Sequence, residues 1–514
     1  MPPNAEPRNE RLDNLKYITA QELQDRIKQG DALFIYDAKV YKVNRFMANH
    51  PGGDLAIRHS LGRDVTDEIR SLHPPAVYER MIHHFYAGEY VPDLEVSKKA
   101  VKVSANTTEE TMTTSWEGGI SVRAFDDEIQ QLHDHHAEDL SKDQISQKNL
   151  DMLTIRKHFR HLEQEIKDRG LFECNYWKYG KEVCRYLLFL YISLWFTLTG
   201  SETWHYMVGA CFMAFFWHQL VFTAHDAGHN EITGRLEIDH LIGVLIANFI
   251  GGLSLGWWKD SHNVHHIVTN HPEHDPDIQH MPFMAITTKL FNNLYSTYYG
   301  RVMKFDAPSR FFIKYQHYLY YLILSFGRFN LHVLSFTYLF SSKNVRNRKL
   351  ELTGIAFFFV WYGALLSTLP SWGVVFAYIM VSYMLTFPLH VQITLSHFGM
   401  STYDGGPNES FAAKMLRTTM DVDCPEWLDW FHGGLQYQAV HHLFPRIPRH
   451  NLRLCVPLVK EFCKETGLHY YMYNFSTGNG VILGALKSVA DQVVLMNDVA
   501  KYNAGVWNSE KSVN

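Results

Sequence analysis

Two regimes of hydrophobic patterning divide the chain. Residues 15–93 carry short apolar runs such as "ALFIYDAKVYKV" among helical stretches such as "TAQELQDRIKQ". That mixture predicts a small α+β unit with its own core. Over 94–150, "VSANTTEETMTTS" and "DDEIQQLHDHHAEDLSKDQ" offer few apolar positions, so a flexible linker is expected. From about residue 181 the apolar positions close into long blocks. "VCRYLLFLYISLWFTLT" and "TWHYMVGACFMAFFWHQLVFT" are separated only by "GSE", and "LTGIAFFFVWYGALLSTL" and "WGVVFAYIMVSYMLTFPLHVQITL" only by "PS". Each block can bridge a hydrocarbon core, which needs roughly 20 residues. The two tiny connections lack Lys and Arg, whereas "RKHFRHLEQEIKDR" and "SSKNVRNRKL" flank the pairs; the flanks are therefore expected in the cytosol. "HLIGVLIANFIGGLSLGWW" is also apolar, but a full crossing there would put its neighbours on opposite sides. With Gly243, Gly251, Gly252 and Gly256 it is expected to be interfacial or half-buried, like the apolar patches within 311–340. The expectation is a small α+β domain (15–93), a linker (94–150), an all-α membrane domain with about four transmembrane helices and a cytosolic cap (151–480), and a C-terminal tail (481–514).

Composition changes this picture little. The mean hydropathy of −0.19 averages a polar N-terminal third with a greasier remainder. The 12 Trp and 28 Tyr suit a protein with much membrane interface. A net charge of −5 gives no reason to expect nucleic acid. Six cysteines without a CxxC argue against a disulfide scaffold or a zinc ribbon. The opening "MPPNAEPRNERLDN" has no apolar core, so no cleaved signal peptide is expected and the N-terminus should stay cytosolic.

Candidate chemistry begins at "NHPGGDLAIRHSLGRDVTDEIRSLHP". His50 precedes Pro-Gly-Gly at a tight turn, and His73 follows an acidic helical stretch. Two neutral imidazoles can clamp a flat haem from both faces. With both axial positions filled, such a haem has no place for dioxygen and transfers electrons. A plain turn explains His-Pro-Gly-Gly equally well. Together with "IYDAKVYKVNRFMANHPGG", however, the stretch resembles cytochrome b5 domains over some 75 residues of this chain. That resemblance implies haem b with His50 and His73 as axial ligands. Asp64, Asp67 and Glu68 are candidates for a docking face, or an ordinary solvated helix face.

Further along, "HDAGHN" places His225 and His229 four apart, on one helical face with Cβ atoms about 5–6 Å apart. "HNVHH" spaces His262, His265 and His266 as i, i+3, i+4, and "QYQAVHHLFP" repeats the pattern with Gln438, His441 and His442. His397, in "TLSHFG", ends the fourth block. A lone HxxxH is more often a surface or core pair, but three boxes plus His397 on one membrane face form a metal-ligand set. Imidazole suits zinc, copper, iron and nickel. One zinc fills with about four ligands, so eight histidines supply two ions. His271 and His274 are candidates for positions behind the ligands, with Asp275 and Asp277 orienting imidazoles, or for a surface turn. His390 is expected to pack rather than ligate. Arg446 and Arg449 of "PRIPRH" either meet lipid headgroups or end the domain.

This arrangement resembles the integral-membrane lipid desaturases, specifically the front-end group with a fused cytochrome b5 domain, over nearly the whole chain apart from the linker and the tail. Within that family, "WHQLVFTAHDAGHN", "SHNVHHIVTNHPEHDPDIQH" and "FHGGLQYQAVHHLFPRIPRHNLR" are similar to the fungal sphingolipid Δ8-desaturases. The resemblance implies two iron ions held by His225, His229, His262, His265, His266, His397, His441 and His442, with Gln438 nearby or ligating through water. It also implies dioxygen as co-substrate, electrons from NADH-cytochrome b5 reductase through the haem, and a ceramide desaturated between carbons 8 and 9 of its long-chain base. The setting implied is the endoplasmic reticulum membrane, with haem domain and histidine boxes cytosolic. Ala439 and Val440 stand where front-end acyl desaturases commonly show Ile-Glu, which favours the sphingolipid branch over a Δ5 or Δ6 acyl desaturase. A lipid hydroxylase using the same site is a further alternative.

Overall fold

The structure is a computed structural model and describes residues 16–91, 152–403 and 409–513. The linker expected over 94–150 lies outside the described residues. The chain divides into two units, Met1–Gln131 and Leu132–Asn514.

In the N-terminal unit, β1 (Tyr17–Thr19), β2 (Leu33–Tyr36), β3 (Lys39–Lys42) and β4 (Tyr86–Val91) form one sheet in the order β1-β4-β3-β2. β2 and β3 pair antiparallel, Leu33 opposite Lys42, through the two-residue turn Asp37-Ala38, both at positive φ. That backbone matches the twist of a tight hairpin. Helix Ala20–Lys28 begins at Thr19, whose hydroxyl accepts from the Glu22 amide, satisfying one of the free amides at a helix start. Phe34, Tyr36, Tyr41, Val43, Ile57, Val65, Tyr78 and Ile82 make a buried cluster. The short helices Asp54–Arg58 and Thr66–Leu72 face that cluster; the first follows the His-Pro-Gly-Gly turn and the second leads into His73.

The second unit is helical. Among the described residues, five of its helices are long and apolar enough to cross a membrane: Tyr176–Thr199, Thr203–His229, Arg348–Leu366, Trp372–Leu395 and Phe475–Asn503. The first four coincide with the blocks legible in the sequence. The fifth was expected as a tail from 481; instead residues 475–513 form one helix. Its apolar positions are interrupted by Asn479, Lys487 and Asp491, so no continuous run announces it. Val489 and Val493 bury against Met281, Leu290, Met303 and Ile313.

The segment expected to be half-buried is a bent pair, Leu236–Ile250 and Leu255–Val268, turning through 119°. Buried polar groups hold the bend. The Glu351 carboxylate accepts from Ser254 Oγ (2.6 Å), Asn248 Nδ2 (3.0 Å) and the Gly256 amide (3.2 Å). Ser254 in turn caps the second helix at the Trp257 amide. Gly252, at φ +71°, lies against the Phe358 ring so closely that a Cβ would come within 2.3 Å of it, and only glycine fits both demands. Helix Thr203–His229 is closed at its start by reciprocal bonds between Glu202 and His205 and ends at left-handed Asn230. At 27 residues it is about 40 Å long, some 10 Å more than a hydrocarbon core is thick.

Candidate metal centre and haem site

The C-terminal end of helix Thr203–His229 carries His225 and His229. The bend brings His262, His265 and His266 alongside, the fourth long helix delivers His397 just past Leu395, and the short helix Gln438–Leu443 supplies His441 and His442. The eight imidazoles converge. His225, His229, His262 and His441 place ligating atoms within 4.8 Å of one another, and so do His265, His397 and His442. His266 sits between the groups, its ring centroid 4.3 Å from His442 and 4.6 Å from His262. Gln438 is buried at the first position of the helix bearing His441 and His442.

Hydrogen bonding shows which nitrogens are free. His265 Nδ1 donates to the Asp275 carboxylate at 2.9 Å. His442 Nδ1 lies 3.4 Å from Thr269 Oγ1, whose proton goes to the His265 carbonyl at 2.7 Å. The two Nε2 atoms face each other at 3.3 Å. Against the effect of burial, the Asp275 and Asp277 carboxylates raise the His265 pKa to about 9, so either a proton or a metal ion lies between the two nitrogens, and the spacing suits donors each about 2 Å from a shared ion. His262 and His266 oppose their Nε2 atoms at 3.1 Å, and the buried Nε2 atoms of His229 and His441 have no hydrogen-bond partner among the described residues. Burial and the neighbouring imidazoles push His441 and His442 well below the ordinary histidine range, keeping them neutral as metal ligation requires. These residues fit transition-metal ions, in two adjacent all-nitrogen groups.

Around them lies a shell that orients the ligands. Asp275 also accepts from the amides of Asn270 (2.7 Å) and Asp277 (2.9 Å), which fixes the carboxylate behind His265. Asn270 Nδ2 donates to the His397 carbonyl at 2.9 Å. Asp421 accepts from the Ala439 amide at 2.7 Å and from the Tyr470 hydroxyl, anchoring the third box; burial pushes its pKa up to about 7. His271 and His274 stack on each other and join neither imidazole group; His274 bonds Thr297 at 3.1 Å. His390 packs against Gly327.

Two expectations need correction. Arg449 does not meet headgroups: it is 7% exposed and ion-pairs with Asp226 and Glu182, while Tyr179 donates to Asp226 at 2.5 Å. Asp226, inside the first box, went unweighted in the sequence, although an acid between two ligand histidines was a visible signal. Nor do Asp67 and Glu68 form a docking face. Both are buried, with Glu68 3.1 Å from Arg63, because the helix Thr66–Leu72 turns its acidic first turn inward.

In the N-terminal unit, His50 and His73 face each other with ring centroids 5.9 Å apart. Each Nδ1 donates to a backbone carbonyl, Gly53 at 2.9 Å and Ile69 at 3.1 Å, the tautomer that puts the lone pair on Nε2, as an axial ligand needs. Desolvation lowers the His50 pKa, which favours the neutral ligand form. Phe46 packs on His50 and on Phe85, an apolar wall suited to a macrocycle.

An oxygen-dependent membrane oxidoreductase with its own electron-carrying domain is the class these sites define. The chain belongs to the fatty acid desaturase family, whose model matches residues 202–474, and carries a cytochrome b5-like heme/steroid binding domain over residues 19–91. It is 45% identical over 529 aligned residues to the Delta 8-(E)-sphingolipid desaturase of Emericella nidulans, covering 94% of this chain and 96% of that one. The protein of the same name from Komagataella phaffii is 42% identical, with 94% and 95% covered. The Delta(8)-fatty-acid desaturase 2 of Arabidopsis thaliana is 35% identical, with 93% and 94% covered.

Proposed function

We propose that this enzyme is a sphingolipid Δ8-desaturase, forming an E double bond between carbons 8 and 9 of the long-chain base of a ceramide. The observation that carries the chemistry is the pair of adjacent imidazole groups whose Nε2 atoms oppose one another. The substrate follows from full-length similarity to Delta 8-(E)-sphingolipid desaturases. His225, His229, His262 and His441 would hold one iron, and His265, His397 and His442 the other. His266 stands between them, and Gln438 would lie nearby or ligate through water. Iron bound there supplies dioxygen activation. The overall change is one methylene pair, dioxygen, two electrons and two protons going to one alkene and two waters.

Each protein group has a defined task. Asp275 holds the His265 ring and its tautomer; Asp421 holds the third box; Arg449 ties the first box to the segment after the third. His50 and His73 hold haem b, which accepts single electrons from NADH-cytochrome b5 reductase. Tethering that donor in the same chain raises its effective concentration. The lysine- and arginine-rich flanks at 156–169 and 341–350 support cytosolic boxes and four crossings in the endoplasmic reticulum membrane. The helix Phe475–Val513 would then pack along the cap, as the burial of Val489 and Val493 against residues following the second box favours.

Lipid analysis of cells expressing the chain tests this reading. Δ8-unsaturated sphingoid bases are expected. New unsaturation in fatty acyl groups with unchanged sphingoid bases would replace the reading by an acyl desaturase, and hydroxylated bases without alkene by a hydroxylase.

A further inference from the structure

Shortly before the third box, the segment "PEWLDWFH" turns two tryptophans outward. Glu426–Leu428 form a single 3-10 turn and Asp429–His432 a short helix, so Trp427 and Trp430, three residues apart, share one face. They are 71% and 39% exposed. The segment behind them is locked in place. The Asp429 carboxylate accepts from Arg453 Nε at 2.8 Å and from Gln436 Nε2 at 2.9 Å. Phe431 stacks on His218 of the second long helix, with centroids 5.1 Å apart, and its carbonyl accepts from the Gln392 amide at 3.3 Å. Gly433 and Gly434, both at positive φ, then turn the chain into the third box. A Cβ on Gly433 would stand 2.2 Å from the Phe222 ring, so this turn closes directly on the second long helix.

Contact with the first long helix says what covers the two indoles. Arg185 lies over the Trp430 ring, 5.6 Å from its centroid. Beyond Arg185 that helix carries no charged residue through Thr199, and its Leu187, Leu188 and Tyr191 are exposed, as lipid-facing positions are. Arg185 therefore marks the level at which the helix leaves the headgroups and enters hydrocarbon, and Trp430 stands at that level. Indoles favour this layer because the ring is apolar while its N–H still finds water. Adjacent exposed aromatic side chains on a rigid segment mark a contact surface rather than scattered surface apolarity.

We propose that Trp427 and Trp430 insert into the headgroup layer of the leaflet on the metal-centre side, and so fix the depth of the third box relative to the bilayer from which a lipid substrate arrives. The charges nearby select the lipid. Asp423 and Glu426 are exposed beside the indoles, while Arg185 is held by Glu182 at 3.6 Å and Arg453 by Asp429 at 2.5 Å. Anionic leaflets attract basic segments; this one is acidic, so a zwitterionic headgroup layer is its partner.

The test uses the full chain in phosphatidylcholine nanodiscs doped with photoactivatable phosphatidylcholine, its diazirine either beside the glycerol ester or at the acyl terminus. Adducts are mapped by peptide mass spectrometry. Trp427 and Trp430 are expected to label from the ester-level probe. Trp195, about 15 Å along the helix from Arg185 and so near the bilayer midplane, should label from the terminal one. Replacing half of the phosphatidylcholine by phosphatidylserine should not raise the yield on the indoles. Trp427→Ser combined with Trp430→Ser should raise KM for a bilayer-borne lipid substrate severalfold, with kcat, iron content and thermal midpoint at wild-type values. Labelling of Trp195 without labelling of either indole would overturn the proposal, because the segment would then face water or a protein surface. Labelling of the indoles chiefly from the acyl terminus would overturn the depth assigned to them, and an unchanged KM in the double variant would overturn their role in setting the depth of the third box.

Discussion

Replacing Arg449 by methionine is the most informative perturbation of the metal centre from outside it. The guanidinium is 7% exposed and bridges fully buried Asp226 to Glu182, with the Tyr179 ring 5.0 Å away. Methionine keeps much of the volume but leaves two carboxylates inside the protein without their shared cation, supported by Tyr179 and His225 on Asp226 and by Tyr186, His450 and Arg185 on Glu182. Removing one partner of a buried ion pair costs about 3–5 kcal/mol, a large share of the roughly 5–15 kcal/mol that holds a domain folded. Because Asp226 adjoins His225, the cost should also appear as weakened metal retention. Arg449→Met is therefore expected to lower the unfolding midpoint of detergent-solubilised enzyme and its iron content together. The variant R449M/D226N/E182Q, which removes the stranded charges, should regain much of the lost stability, since neutralised buried pairs cost far less than broken ones. A wild-type midpoint and iron content in the single variant, or a triple variant less stable than the single, would refute the bridge as a stabilising element.

The two redox sites should fail independently. His50→Ala is expected to abolish the haem absorbance and turnover while iron stays bound, and His441→Ala to do the reverse; one variant losing both groups would contradict the separation. Asp275→Asn should weaken iron binding about 10–100-fold by loosening His265, read by competition with a chelator, with haem content unchanged. Asp421 gives a pH signature. Its folded pKa of about 7 lies above the ordinary carboxyl value, so the folded state keeps a proton that the unfolded chain loses between about pH 4 and 7. The stability advantage of the protonated form is present below that window and is lost as pH rises through it, by up to about 4 kcal/mol. Asp421→Asn should remove that slope, and parallel stability–pH curves for wild type and variant would disprove the assignment.

Periodicity and spacing alone determined much of this protein. The four long apolar helices, the small α+β unit and the i, i+3, i+4 histidine faces are local properties, set by residues within a few turns of one another. The histidines that the fold gathers were legible for the same reason: imidazoles at the ends of apolar segments are costly unless something binds them. What the sequence withheld depends on contacts across long separations. Arg449 lies more than 200 residues from Asp226 in the chain, and only packing shows whether such an arginine faces lipid or an aspartate. Glu351 reads as one charge in a helix, yet it is the hinge pin of a bend formed a hundred residues earlier. The helix after Phe475 was hidden because its buried stripe, not its average hydropathy, holds it in place. Local pattern decides which elements form and which face is apolar; the pairing of a buried charge is decided by whichever distant segment the fold brings to it.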